Sequence, residues 1–431
     1  MTRRNENRQG YKKTKVGWIP EKWECIKLKD LSKLGPQNGL YKKQDAYDKD
    51  GCRMVHMPQL FANDIIEDQD MPKVLLNESE KIKYLIEEGD LLFGRRSLAI
   101  EGSGKCSLVG KLTTPITFES SIIRISLDNR KLYPKYSYFY IASPYGRYQM
   151  FTITRVVAVS GIAGSDLKLY QIPLPPLPEQ KKIAEILSAW DRAIEQVGRL
   201  IDAKKQLKKG LMQKLLTGRI RFSEFGKPVD KKGQLPEGWR EVKLGELGKI
   251  HSGGTPDTKK TDYWNGDIPW LTPSEVTILK SRFISDTLKK ITEKGLKNSS
   301  ASLLPEKSIL VCTRATVGDC AINIVPMTTN QGFKNIELSS GYDADFVYYS
   351  ICSIKKRFKR FSAGSTFFEV PMRDFIKIRL EIPPLLEQTR IAAVLSACDR
   401  EIELLKKKKE RLQEQKKGLM QKLLTGEIRV K

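Results

Sequence analysis

The sequence predicts an α+β protein in which two mixed α/β domains are separated by two long antiparallel coiled-coil helices, the whole built as an internal pseudo-two-fold duplication. Three observations lead there. The segment Pro175 to Arg221 recurs without a gap as Pro383 to Arg429, with 27 of 47 positions identical, so the chain carries a duplicated half-molecule with a period of 208 residues. A second shared signature, Gly17 to Leu31 against Gly233 to Leu247, opens each half with the same Gly, Pro-Glu, Trp and Lys-Leu positions. Between these constant frames the stretches of about 24 to 170 and about 240 to 378 look largely unlike each other, as expected of two domains doing different versions of one job. The resulting boundaries are 1–175 for the first domain, 176–220 for the first helix, 221–382 for a linker and the second domain, and 383–431 for the second helix.

The helices follow from periodicity. Ile183, Leu187, Trp190, Ile194, Val197, Ile201, Lys204, Lys208, Leu211 and Leu215 are spaced alternately four and three, and the second copy repeats the pattern from Ile391 through Leu395, Cys398, Ile402, Leu405, Lys409, Leu412, Lys416 and Leu419 to Leu423. That spacing is a coiled-coil seam. Proline clusters (Pro175, Pro176 and Pro178; Pro383 and Pro384) mark the starts, and Gly218 and Gly426 the stops. At 1.5 Å per residue each helix is a rod of roughly 57 Å, too long to be packed inside one small domain. Two copies related by an approximate two-fold axis run antiparallel, with the variable domains expected at opposite ends. Gly210 and Gly418 sit inside the helices, where glycine costs about 1 kcal/mol relative to alanine, so both predict close backbone approach to a partner helix or subunit. Asp191, Arg192 and Glu195 with Asp399, Arg400 and Glu403 lie largely off the seam and are the candidate partner-docking face.

Composition bounds the partner. Lys and Arg number 76 against 51 Asp and Glu, a net charge of +25, which makes a polyanion the leading partner and nucleic acid the leading polyanion. No apolar run reaches the length of a membrane span, and the polar, basic start lacks the apolar centre of a secretory signal, so a cytoplasmic protein is expected. Seven cysteines form no CxxC pair and no zinc spacing with the two histidines, His56 and His251; they are expected to serve as small hydrophobes.

In the variable domains, Leu167 to Leu174 and Ile376 to Ile382 alternate as strands leading into the prolines, while Asp90 to Phe93 and Ile309 to Val311 are short buried strands. Basic turns follow the latter two, and loops on a rigid sheet are where readers sit. Base readout needs forked donors for guanine and amides for adenine. Arg95, Arg96 and Lys105 in the first domain, and Arg314, Asn330, Gln331 and Lys334 in the second, fit by type and position. Lys259, Lys260 and the run Lys355 to Arg360 are candidate grips on the phosphate backbone. Tyr348, Ile351, Ile354, Phe358 and Phe361 recur at helical spacing as a core face.

Signals of catalysis are missing. Gly102 to Ser107 reads GSGKCS, but Ala99 and Cys106 stand where a phosphate loop needs glycine and a magnesium-binding hydroxyl. There is no nucleotide-cofactor fingerprint, no Asp/Asn-Pro-Pro-Tyr/Phe set of the kind amino-methyltransferases use, and no carboxylate cluster suited to a metal.

Taken together, the Pro-x-x-Trp segments at Pro20 to Trp23 and Pro236 to Trp239, the SGGTP…YWNGDIPWLTPSE stretch from Ser252 to Glu275, the segment Gly364 to Val370, and the PPLxEQ and LMQKLLTG helices resemble the specificity subunit of type I restriction-modification systems over nearly the whole chain. The resemblance implies a non-catalytic subunit whose two target-recognition domains read a two-part sequence in double-stranded DNA with an unspecified spacer. It also implies two methyltransferase subunits, which methylate one adenine on each strand, and through them two restriction subunits. No cofactor is expected on this chain; S-adenosylmethionine, ATP and magnesium belong to the partners. The first domain departs from the pattern, having Asn38 to Phe61 in place of a recognisable SGGTP…IPW. Two other classes compete with this reading: a DNA-cleaving or DNA-modifying enzyme with an unrecognised active site, and a coiled-coil adaptor with an acidic protein partner.

Overall fold

The computed structural model describes residues 5–156, 160–229, 234–362 and 369–430. The chain forms two compact units, Met1–Val197 with Lys408–Lys431, and Gly198–Lys407. The segment Gly364 to Ser365 and on to Phe368, part of the motif from Gly364 to Val370, lies outside the described residues, as do the side chains of Lys359, Arg360 and Phe361.

Beside a hairpin of Tyr11–Thr14 with Gly17–Pro20 and a small sheet of Arg155–Val156, Ser160–Gly161 and Arg96–Ser97, neither of which has a strand counterpart among the described residues of the second unit, the strands of the first unit are β1 (Glu24–Lys27), β2 (Ser32–Asn38), β3 (Tyr47–Val55), β4 (Ile65–Ile66), β5 (Lys73–Val74), β6 (Leu91–Gly94), β7 (Cys106–Val109), β8 (Ile116–Phe118), β9 (Ile122–Leu127) and β10 (Gln171–Leu174). They assemble as a five-stranded sheet in the order β2-β9-β6-β7-β4, a three-stranded sheet β8-β3-β5, and the pair β10-β1. In the second unit the strands are β11 (Arg240–Lys243), β12 (Gly248–Ser252), β13 (Trp264–Leu271), β14 (Phe283–Ile284), β15 (Lys289–Ile291), β16 (Ile309–Cys312), β17 (Cys320–Asn323), β18 (Thr328–Thr329), β19 (Phe333–Leu338) and β20 (Arg379–Ile382). These give β12-β19-β16-β17-β14, then β18-β13-β15, then β11-β20.

The two orders are the same list with ten added to each number. Strand direction repeats as well: β7 runs parallel to β4 as β17 does to β14, and β8 parallel to β3 as β18 does to β13. Domains that share little sequence therefore share one topology. This supplies the counterpart that the first domain lacks in its sequence, because β3 followed by the helix Met57–Ala62 occupies the place of β13 followed by the helix Pro273–Ile278. The buried strands explain how so little identity suffices. β6, β7 and β9, like β16 and β17, are buried along their whole length, so any apolar residue of suitable volume holds the place.

Two strand expectations shrink. Over Leu167 to Leu174 only Gln171–Leu174 is strand, because Asp166 and Leu167 N–H bond back to the Ala163 carbonyl and close a helical turn at Gly164–Lys168. Over Ile376 to Ile382 only Arg379–Ile382 is strand, since Ile376 and Ile378 N–H bond back to Met372 and Phe375.

The long helices run Leu177–Leu215 and Leu385–Leu424. Every seam position from Ile183 to Leu215 and from Ile391 to Leu423 is buried or half-buried. Pairing runs antiparallel inside each unit. In the first, Asp191 meets Lys416 and Glu179 meets Arg429; in the second, Lys208 meets Asp399 and Lys204 meets Glu401. Gly218, at φ +65°, closes the first helix in a Schellman turn, with Arg219 N–H bonding the Lys214 carbonyl at 2.9 Å and Gly218 N–H the Leu215 carbonyl at 3.3 Å.

The repeated sequence text becomes one repeated clasp. In the second unit the Trp239 indole N–H donates to Glu387 Oε2 at 3.1 Å, while Arg221 Nε and Nη2 donate to the same carboxylate at 3.0 and 2.8 Å. The first unit repeats this with Trp23 to Glu179 at 3.1 Å and Arg429 at 2.6 and 2.7 Å. The helix-ending glycines sit underneath: a Cβ on Gly218 would lie 2.1 Å from Pro236 Cγ, and one on Gly426 2.4 Å from Pro20 Cγ. Next to each carboxylate, Gln180 and Gln388 tie the helix start to its domain through three hydrogen bonds apiece, the latter to Asp343 N–H, Gly341 O and Pro383 O. The Pro-x-x-Trp, Glu-Gln and Ile-Arg motifs are thus the parts of a joint that fastens each domain to both long helices.

All seven cysteines are free, and Cys106, Cys312, Cys320 and Cys398 are buried. Burial pushes the Cys312 thiol up to about 12, which keeps it neutral and inert. No helix among the described residues is long and apolar enough to cross a membrane.

Candidate nucleic-acid interface

In the second unit the interface is built where β16 ends. The chain leaves Cys312 with Thr313 N–H on the Gly332 carbonyl at 2.7 Å, and Arg314 follows at an exposed position. Ala315 then adopts φ +57°, a left-handed conformation that costs a non-glycine residue about 1 to 2 kcal/mol and that recurs at functional turns. Arg314 Nε donates to Glu369 Oε2 at 2.7 Å, and the Lys334 ammonium stands 3.7 Å from the other oxygen. Asn330 Oδ1 accepts the Gly332 N–H at 2.8 Å, which leaves its amide donors uncommitted by that bond. Gln331 is exposed and its Oε1 accepts from the Thr255 hydroxyl.

The SGGTP motif makes this gathering possible. A Cβ on Gly253 would lie 1.7 Å from the Asn330 carbonyl and one on Gly254 2.4 Å from Ala301 N, so only glycine lets the loop pass and set Thr255 against Gln331. Trp270 of β13 pins the same loop from below through its indole N–H on the Gly254 carbonyl at 2.8 Å. Arg314, Asn330 and Gln331 are therefore brought together around Gly332. Lys334 is corrected to a supporting role: it is buried, burial lowers its pKa against the pull of Glu369, and its cation holds that carboxylate instead of facing a groove. Lys259 and Lys260 are exposed on the loop that continues from Thr255, with Lys260 Nζ 3.2 Å from the Tyr263 hydroxyl. Farther along, Lys355 is engaged by Asp319 and Phe358 is core.

The first unit offers the same frame with other chemistry. Arg95 N–H bonds Ser121 O at 2.8 Å and its carbonyl accepts Ile162 N–H at 2.9 Å, matching Thr313 with Gly332 and with Val370 N–H at 3.0 Å. Arg96, also exposed, is consequently the topological equivalent of Arg314. At the position of Asn330 stands Glu119; each follows its strand with an N–H bond to the end of the neighbouring one, Val55 O or Leu271 O, both at 3.0 Å. Glu119 accepts from His56 Nδ1 at 2.9 Å and from Met57 N–H at 2.6 Å. Burial raises its pKa, but these two bonds outweigh burial and hold it below the usual carboxylate range. Gly39 parallels Gly253, since a Cβ there would lie 2.1 Å from the Glu119 carbonyl.

Three expectations change in this unit and along the helices. Lys105 is folded back onto its own domain, its ammonium on the Phe61 carbonyl at 2.7 Å and 3.6 Å from Asp64, where the end of the helix Met57–Ala62 collects positive charge. Asp191 and Asp399 brace the helix pair, Asp399 taking Lys208 at 2.6 Å and the Tyr349 hydroxyl at 2.7 Å while Asp191 takes Lys416. A Cβ on Gly210 or Gly418 would meet nothing within 4 Å among the described residues, so no helix of those residues presses on either glycine at that point. Arg192, Glu195, Arg400 and Glu403 are exposed, Glu403 with Lys407 at 2.7 Å one helical turn on.

Sequence reasoning missed the pair His56 and Glu119, which carries no motif; the signal was Asn38-Gly39, a strand-ending glycine in the place of the SGG. It also missed Glu369, 55 residues from the arginine it positions. Among the described residues no group of His, Cys, Asp and Glu is placed to hold a metal ion.

The chain matches the family described as Type I restriction modification DNA specificity domain twice, over residues 20–205 and 236–414. It is 32% identical over 437 residues to the MjaX type I restriction enzyme specificity subunit of Methanocaldococcus jannaschii, covering 98% of this chain and 97% of that one. It is 27% identical to the EcoR124I/EcoR124II specificity subunit of Escherichia coli over 66% of this chain and 70% of the relative. Among solved structures it is similar to a chain from work on complex assembly and conformational transition of the type I R-M system, at TM-score 0.60 with 17% identity, covering 95% of this chain and 99% of that one. The S subunit from M. genitalium gives TM-score 0.55 and 16% identity over 93% and 96%. At those identities the structural likeness speaks for the fold alone.

Proposed function

From the premise that the chain belongs to the family of type I restriction-modification specificity subunits, we propose that each of its units reads one half of an asymmetric two-part DNA target. The chain is the DNA-recognition subunit of such a complex. One observation carries the finer reading: a single frame is built twice, and equivalent places on it hold an arginine in both units but an imidazole–carboxylate pair in one and an amide in the other. Constant geometry with varied donors and acceptors is what two different base sequences require. Arg96 and Arg314 are assigned forked contacts to guanine or phosphate, Asn330 and Gln331 amide contacts, and Arg95, Lys259 and Lys260 backbone grips.

The shared helices then present equivalent faces to two methyltransferase subunits, and through them to two restriction subunits, in the cytoplasm. We assign no chemistry to this chain: S-adenosylmethionine, ATP and magnesium would act on the partners. Incubating the purified chain with DNA and magnesium, and then with S-adenosylmethionine, is expected to yield neither cleavage nor methylation; adding the methyltransferase should bring methylation, and cleavage should need the restriction subunit and ATP as well. Turnover by the chain alone would instead establish an enzyme.

The helix glycines give a second test. With open space around its Cβ position, Gly418→Ala should stabilise the isolated chain by about 1 kcal/mol through helix propensity alone. If a partner backbone lies against that glycine, the same change should weaken assembly by about 1 to 3 kcal/mol through overpacking. Denaturant unfolding of the chain and titration with the methyltransferase measure the two effects separately.

A further inference from the structure

The second unit contains an open groove of about 830 Å³ between its long-helix stretches and the helices around Ser353. Lys205, Lys208, Lys209, Lys355, Lys356 and Lys406 line it. Internal carboxylates answer part of this charge: Asp399 takes Lys208, Asp319 takes Lys355, and Asp202 takes Lys205 from the same helix. Lys209, Lys356 and Lys406 form no salt bridge among the described residues, Lys406 only sharing the field of Glu403 on its own helix. Holding so many cations around one depression is unfavourable unless an anion enters it.

The groove is not duplicated. By the repeat of 208 residues Lys208 and Lys209 recur as Lys416 and Lys417, but Lys205 corresponds to Gln413 and Lys406 to Gly198, so the full lysine set occurs once. The helix Lys355–Ser362 opens with Lys-Lys-Arg, whereas its counterpart Pro144–Ile153 has Arg147 as its single cation, and that guanidinium is spent on the Glu101 and Ser103 carbonyls. Two identical methyltransferase subunits bound to equivalent faces cannot both use a feature present once. DNA can, because an asymmetric target presents its phosphates to each half independently. Lysine ammoniums are hydrated point charges without the planar fork that reads a base edge, so they suit phosphate.

We propose that this lysine groove is a phosphodiester-binding site that grips the DNA backbone beside the second recognition domain without reading sequence. The proposal rests on the DNA-recognition role given above. Its test compares the full chain, alone and assembled with its methyltransferase, with the Lys209→Ala/Lys356→Ala/Lys406→Ala variant on a random-sequence duplex. Losing about three phosphate contacts lowers the slope of log affinity against log salt by about 2.7, so between about 50 and 200 mM salt wild type loses about 40-fold more affinity than the variant. Preference for the methylated target over random duplex should be unchanged, and the matching triple arginine variant should keep the wild-type slope. An unaltered slope in the alanine variant would overturn the groove while leaving the DNA-recognition role intact. Failed assembly with the methyltransferase at unaltered slope would overturn it too, assigning the groove to an acidic protein surface. Absence of salt-dependent DNA binding by wild type would instead remove the functional reading itself.

Discussion

Replacing Glu387 with alanine is expected to destabilise the second unit by about 3 to 5 kcal/mol, because it leaves a buried guanidinium without its counter-charge. The side chains of Arg221 and Glu387 are each 1% exposed, and the carboxylate also takes the Trp239 indole N–H, so one deletion removes the acceptor of three N–H donors on two side chains. Glu179→Ala in the first unit should cost less. Its partner Arg429 is 37% exposed and can recover water. Denaturant unfolding followed by tryptophan fluorescence measures both, and the order of the two effects matters more than their size. Removing both charges, as Arg221→Met with Glu387→Leu, should restore much of the loss, since a well-packed apolar pair replaces an ion pair without leaving a charge behind. A Glu387→Ala variant as stable as wild type would mean that the clasp contributes nothing to the fold.

Arg314→Ala is expected to cost about 1 to 3 kcal/mol of discrimination at one half of the DNA target while leaving the other half unchanged. The guanidinium is held by Glu369 at 2.7 Å, with Lys334 buried behind the same carboxylate, so it stands ready in one orientation before DNA arrives. Glu369→Ala should accordingly lower discrimination at the same half by a smaller amount, through lost positioning. Binding measured on duplexes varied one base at a time reads the effect. Equal loss on every sequence would mark Arg314 as a phosphate contact.

What the sequence made legible depended on whether the residues carried their own spacing. The long helices could be read because a seam such as Ile183-Leu187-Trp190 is local and periodic, and the clasp motifs stood out because they occur twice. The purpose of those motifs was not legible: Glu179 and Arg429 lie 250 residues apart, and no local rule joins them. The matching topology of the recognition domains was hidden for a different reason. Its frame is fixed by short buried strands such as β6 and β16, where burial asks for apolar volume and not for particular residues. Among the candidate contacts, residue type picked out Arg96 and Arg314, which the fold leaves exposed, but could not tell Lys334 or Lys105 from them. Whether a lysine faces solvent or a carboxylate such as Glu369 is decided by partners distant in the chain.

The central claim is that two unlike readers on one duplicated frame each specify half of a target. Mapping methylated adenines genome-wide in cells carrying this chain with its methyltransferase tests it most directly. One asymmetric motif in two parts, with a gap of fixed length and one modified adenine on each strand, is the result the account predicts. A single uninterrupted motif, or a pattern that persists when this chain is removed, would contradict it.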